Sequence, residues 1–201
     1  MATPTANTYH YAPLSDHGNI RLLRLIPHQD KLAPIHCHLF EYPLGSLGHQ
    51  TAHLYEALSY AWGSGTDPLP LYIQGPLPPL PTGRVRGTGI EDNRCLNITR
   101  NLHAALTHIR DPYFDRVLWV DAVCINQQDN AEKGRQVQSM AKIYASASRV
   151  IVWLGLETRE TAGALEALCK AASKKPVSTK AQKAIPALLR RPWFQRIWVR
   201  Y

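Results

Sequence analysis

Asp121 ends the apolar run Val117-Leu118-Trp119-Val120, and a carboxylate at that place has ligand chemistry within reach. Open α/β sheets gather their binding groups at the carboxyl ends of their strands. From there Asp121 can hydrogen-bond ribose hydroxyls or stabilise an oxocarbenium-like charge, which glycosidic cleavage requires. An acid that binds loop amides and fixes the turn fits the position equally, and both readings stay open. Glu132 is a second catalytic candidate, but its offset from Asp129 has capping-box spacing, which favours helix capping. Asn126 and Gln127, in the polar turn Cys124-Ile125-Asn126-Gln127-Gln128, can bond a ligand amide. Turn formation accounts for Asn126 just as well.

Ser59, Tyr60 and Trp62 close an earlier apolar segment that stops at Gly63. Aromatic rings at a strand end can stack on a nucleobase, worth about 1–3 kcal/mol per base in nucleic-acid complexes. Trp62, beside the glycine turn, is the better pocket wall. With Asn126 and Gln127 these three make the ligand-binding set. Other chemistries find less support. The chain has neither GxGxxG nor GxxxxGK[ST], so standard dinucleotide and P-loop sites are unsupported. His36 and His38 share one face of a predicted strand, but a metal would need more ligands there. His103 and His108 are spaced i, i+5, poorly aligned for a shared ion. No metal site is expected.

The elements that must position these residues follow from the pattern. Two strands, 20–26 and 35–42, flank a turn at 27–34. An aromatic strand covers 54–63. Residues 64–94 hold six of the fifteen prolines and read as a long surface insertion, with one edge strand at Leu71-Tyr72-Ile73. After Cys95-Leu96-Asn97-Ile98, Thr99 is placed to cap a helix bearing Leu102, Ala105, Leu106 and Ile109. Strand 117–121 precedes a helix with Val137, Met140, Ala141 and Tyr144 on one face. Residues 149–155 read as a buried parallel-type strand. A third helix carries Leu165, Leu168, Cys169 and Ala172, and a kinked helix runs through Pro186 to Arg191. Strands alternating with helices argue for an α/β fold, a mainly parallel sheet with helices on both faces. An N-terminal strand pair and the Pro/Gly-rich insertion are added to it. Residues 1–18 read as a loose arm and 19–201 as one domain.

The chain has 201 residues and a net charge of +8, unevenly placed. Nine of its 23 basic residues, and no acid, fall in 170–201. Such a tail can contact nucleic acid or an anionic surface. Interleaving with an apolar helical pattern makes a solvated face the simpler reading. No apolar run approaches the roughly 20 residues of a membrane span. No secretory signal is visible, so the four dispersed cysteines read as reduced thiols in a cytoplasmic protein.

Three blocks together resemble one known family. They are Tyr55-Glu56-Ala57-Leu58-Ser59-Tyr60-Ala61-Trp62-Gly63, then Leu118-Trp119-Val120-Asp121-Ala122-Val123-Cys124-Ile125-Asn126-Gln127, then the stretch from Glu132 through Gln136-Val137 and Ile143-Tyr144 to Val152-Trp153-Leu154-Gly155. They are similar to the HET (heterokaryon incompatibility) domain of filamentous fungi, as is Arg191-Pro192-Trp193-Phe194-Gln195-Arg196-Ile197-Trp198-Val199. The resemblance covers residues 54–200. It implies non-self recognition and cell-death signalling, through self-association or contact with other allorecognition proteins. HET domains also resemble TIR domains, which implies a flavodoxin-like fold and NAD as a possible substrate, with no bound cofactor. Many TIR domains hydrolyse NAD with a glutamate. HET sequences usually continue Trp-Val-x-Gln-Glu, and here Tyr201 stands where Gln is expected. The chain therefore reads as a fragment or as a shortened HET protein without that acid.

Overall fold

The computed structural model describes residues 7–45, 55–75 and 94–195. They form two compact units, residues 1–152 and 153–201. The sequence expectations at 1–6, 46–54, 76–93 and 196–201 lie outside the described residues. These include most of the proline run and Arg196-Ile197-Trp198-Val199.

The first unit is built on a sheet whose strands are β1 (Asn7–Thr8), β2 (Asn19–Leu25), β3 (His36–Pro43), β4 (Glu56–Tyr60), β5 (Leu69–Ile73), β6 (Arg94–Ile98), β7 (Arg116–Trp119) and β8 (Arg149–Trp153). Their order is β1-β6-β5-β3-β2-β7-β4-β8. Helices α1 (Arg100–Ile109), α2 (Asp121–Cys124) and α3 (Asn130–Ser146) complete the unit. The fold is α/β, and its sheet is mixed. β4 and β7 are parallel, as are β3 and β5 and the short β1 with β6. β5 and β6 are antiparallel, and the N-terminal hairpin supplies the other antiparallel pairs, with β2 running against both β3 and β7. It thus sits mid-sheet between the parallel pairs. β5 is also interior, paired with β3 and β6, although its Pro70 suggested an edge. Leu71 and Ile73 are buried there.

Physical reasons for the elements are visible at their ends. Thr99 Oγ1 accepts from the Leu102 amide at 3.3 Å, and α1 buries Leu102, Ala105 and Leu106 as its spacing demands. Glu56 accepts from Arg116 on β7 at 2.6 and 2.9 Å and from Arg149 on β8, tying three neighbouring strands. The core gathers Leu22, Leu23, Leu25, Ile35, Leu58, Leu118 and Trp119. Cys37 and Cys124 are buried with it as free thiols. Burial pushes the Cys124 thiol up to about 12 and Cys37 well above its ordinary value.

Further expectations change. Residues 7–18 are not a loose arm. β1 pairs with β6, Tyr11 Oη donates to Val123 O at 2.8 Å, and Glu41 accepts from Ser15 and Asn19. The aromatic and polar groups of this segment find fixed partners, which holds a terminus in place. α3 buries Glu132, Gln136 and Ile143, while Val137 is half exposed. Polar groups take the inward stripe because the first unit supplies partners for them. Gln136 Nε2, for example, donates to Asn19 O at 2.8 Å. β8 is terminal in the sheet order, so Val150 and Val152 are not covered as a central strand's would be.

The second unit contains α4 (Ala164–Ala172), α5 (Thr179–Leu189) and a 3-10 turn (Pro192–Gln195). Its core is Ala164, Ala184 and Leu188, flanked by Leu154 and Phe194. α4 therefore faces inward with Ala164 and Ala167, and Leu165 and Leu168 stay exposed. Small residues at the contact allow the helices to approach closely. Arg191 donates to Leu154 O at 3.1 Å and to Thr161 Oγ1 at 2.7 Å. Gly155, at φ +93°, makes room for that guanidinium: a Cβ would stand 2.8 Å from Arg191 Nη1.

Candidate functional site

Parallel pairing of β4 and β7 sets Glu56 opposite Leu118 and Ala57 opposite Trp119. Both chains therefore leave the sheet at one edge, and Ser59, Tyr60, Trp62 and Asp121 lie at or just past it. Trp62 Nε1 donates to Asp121 Oδ2 at 2.9 Å, and Asp121 Oδ1 accepts from the Ala122 amide at 2.8 Å. The carboxylate is 7% exposed and the indole 43%. The acid is thus enclosed, and it holds an aromatic ring that faces solvent. Ser59 and Tyr60 are buried behind it.

The loop after Trp62 needs its glycine. Gly63 has φ +76°, and a Cβ there would come within 3.3 Å of Asn101 Cβ. Asn101, in the first turn of α1, donates through Nδ2 to Ala61 O. The sequence reading passes over this side chain, because a polar residue in a first helical turn looks like any solvated one.

Gln127 and Asn126 complete the corner differently. Gln127 Nε2 donates to Asp121 O at 2.9 Å, while its Oε1 is enclosed with no donor among the described residues. Asn126 folds on its own turn: Oδ1 accepts from the Gln128 amide at 3.1 Å. α2 touches both β2 and β6, which two other strands separate in the sheet order, so the sheet curls around this turn.

Glu132 is elsewhere in the network. Its two oxygens take Arg21 Nη1 and Nη2, the second at 2.9 Å, with both side chains almost fully buried. Oε1 also accepts from the Asn126 amide at 2.9 Å. Arg21 donates further to Ala12 O at 2.6 Å and lies 5.1 Å from the Tyr11 ring centroid. The helix start is capped by Asp129 alone, which accepts from Ala131 and Glu132 amides at 2.9 and 3.0 Å. Those bonds hold the Asp129 carboxyl below its ordinary value. Arg21 is the partner that sequence reasoning missed. A base inside the apolar run Ile20-Arg21-Leu22-Leu23 was the available signal, since a buried cation requires a buried anion.

Among the described residues, one cavity of about 260 Å³ lies beside Tyr9, Leu39, Ile73 and Arg94 and another of about 90 Å³ beside Pro13, Arg21 and Glu41. Neither is lined by Asp121 or Trp62. Among the described residues no three His, Cys, Asp or Glu side chains could hold a metal ion. His36 stacks on Tyr72, ring centroids 5.2 Å apart. No helix among those residues is long and apolar enough to cross a membrane.

Residues 55–200 match the family described as heterokaryon incompatibility protein (HET). The chain is also 31% identical over 172 residues to heterokaryon incompatibility protein 6, OR allele, of Neurospora crassa. That alignment covers 81% of this chain and 23% of the relative, so the chain spans under a quarter of the protein it matches. No solved structure matches it.

Proposed function

Because the chain belongs to the heterokaryon incompatibility (HET) family, we propose that it acts in fungal non-self recognition. In this reading it signals cell death by assembling with further copies or with other recognition proteins. The family match over residues 55–200 carries the reading, since it includes both strand ends that build the Trp62–Asp121 corner. The corner suits recognition: a buried carboxylate with two donors orients an exposed indole. Inducible expression of the chain in Neurospora hyphae tests this. Growth arrest with dye uptake is expected, weakened by Trp62→Ala. Normal growth at verified expression would overturn the reading.

NAD hydrolysis is the second reading, favoured by one observation: an acid and an exposed ring share the carboxyl edge of a parallel strand pair. The two candidate acids are nonetheless engaged, Asp121 by Trp62 and Ala122, Glu132 by Arg21. A glycohydrolase needs a carboxylate free to meet the ribose, and losing such a group costs several powers of ten in rate. Nicotinamide release by the purified chain should therefore stay near background, unchanged by Asp121→Ala. Robust turnover that this substitution abolishes would make hydrolysis the leading reading.

A further inference from the structure

The larger cavity lies in the first unit, between the N-terminal segment and one face of the sheet. Ile73 of β5 is in register with Cys37 of β3 and with Arg94 of β6, so the three side chains leave the sheet on one face. Leu39, two residues past Cys37, joins that face. Tyr9 and His10, from the N-terminal segment, line the same cavity. Backbone hydrogen bonds fix both walls. The Tyr9 amide donates to Cys95 O at 3.0 Å and the Gln74 amide to Cys37 O at 2.8 Å. Ala12 O accepts from Arg21 Nη2 at 2.6 Å. The cavity is therefore preformed, which spares a ligand the cost of shaping it.

Its lining is graded. Ile73 is buried and Leu39 partly so, while His10, Gln74 and Arg94 are exposed. An apolar floor thus passes into a polar rim, the arrangement of small-molecule sites. None of the lining residues is acidic, and Arg94 is the one among them that is always charged. Burial lifts the Tyr9 phenol above its ordinary value, against the pull of Arg21 and Arg94, so at neutral pH its hydroxyl is an uncharged donor. Every polar side chain on the lining offers an N–H or O–H group, and a carboxylate is the acceptor that a guanidinium fork fits. The five N–H groups of that fork exceed what one neighbour occupies. One permanent cation matches one negative charge. A phosphate dianion would bring a second charge without a counterpart and leave the apolar floor unused. The volume, about 260 Å³, falls just under the roughly 300–1,000 Å³ of drug-sized sites. It suits a single ring or a short branched chain with its acid group.

We propose that this cavity binds a small organic carboxylate, its apolar body against Leu39 and Ile73 and its charge on Arg94 and the Tyr9 hydroxyl. The site shares no lining residue with the Trp62–Asp121 corner and stands apart from the incompatibility reading. Titration of the isotope-labelled chain with phenylacetate and with isovalerate, at fixed ionic strength and followed by amide NMR, tests it. Saturable binding of at least one acid is expected, with dissociation at about 0.1–1 mM, an ordinary strength for so few atoms. The largest shifts should fall on the amides of Tyr9, His10, Gln74 and Arg94. Phenethyl alcohol, which keeps the ring without the charge, should bind at least tenfold more weakly than phenylacetate, and phenethylamine should not bind. Inorganic phosphate should be at least tenfold weaker than the better acid. Arg94→Met should weaken that acid at least tenfold, with amide shifts far from the cavity unchanged. Should the variant lose structure, the ligand series on the parent decides alone. The proposal is overturned if neither acid saturates by about 20 mM, or if the shifts centre elsewhere. An amine or phosphate that binds as well as the acids overturns it too, as does full affinity in a folded Arg94→Met.

Discussion

Glu132 is a carboxylate whose environment argues for stability before chemistry. Its partner Arg21 is buried beneath the N-terminal segment, with Tyr11 over the guanidinium and Ala12 O accepting from it. Removing one member of a buried pair strands the other charge, at a cost of about 3–5 kcal/mol. Glu132→Gln should therefore lower the urea unfolding free energy by about that amount. Arg21→Met/Glu132→Leu should recover part of the loss, because no charge is then left without its counter-ion. Recovery stays incomplete, as Ala12 O, Cys124 O and the Asn126 amide also lose partners. Unchanged stability in Glu132→Gln, joined to lost growth arrest, would instead mark Glu132 as a functional acid. Asp121 differs in kind: its bonds reach a solvent-facing ring and its own helix start, so replacing it alters a surface as well as a fold.

At the scale of elements, α3 starts on a single cap. Asp129 accepts from the Glu132 and Ala131 amides, in that order of effect on its carboxyl, which is held below the ordinary value. A carboxyl depressed in the folded state stabilises above its unfolded value and loses that contribution as pH falls through the folded one. Asp129→Ala should therefore unfold at lower urea than the parent at pH ~7, and the gap should close on acidification below about pH 4. A gap independent of pH would show that the cap does not depend on charge. The same helix shows what a sequence can convey. Thr99 and Asp129 were legible as caps because a helix start leaves unpaired amides that few side chains satisfy. The inward stripe of α3 was not, since Glu132 and Gln136 are buried by partners from β2 and its surroundings, remote in sequence. Likewise the apolar run at β8 reads as central, and only strand order makes it terminal. The Trp62–Asp121 corner lay between. Each half was visible at a strand end, but their bond needed the β4–β7 pairing.

Across the whole molecule the two units have unequal means of staying folded. Residues 1–152 include fully buried Leu22, Leu23, Ile35, Leu58, Leu102, Leu118 and Trp119. Residues 153–201 rely on Ala164, Ala184 and Leu188, with Leu154 and Phe194 partly covered. Two alanines remove little apolar surface from water, and small cores seldom supply more than a few kcal/mol. α5 also carries Pro186, which donates no hydrogen bond to the preceding turn. The Arg191 fork to Leu154 O and Thr161 partly offsets this, and Gly155 allows its approach. Regions with few buried contacts open before the rest. Hydrogen exchange followed by mass spectrometry should thus find the amides of α4 and α5 exchanging well before those of β2, β7 and α1. Low urea should accelerate the first group while leaving the second unmoved. Arg191→Ala should widen the difference by at least tenfold in exchange rate at α4, because it frees the carbonyl and hydroxyl that the guanidinium binds. If α4 and α5 exchange only together with β2 and β7 at every urea concentration, the chain opens as one cooperative body and the unequal cores do not govern it.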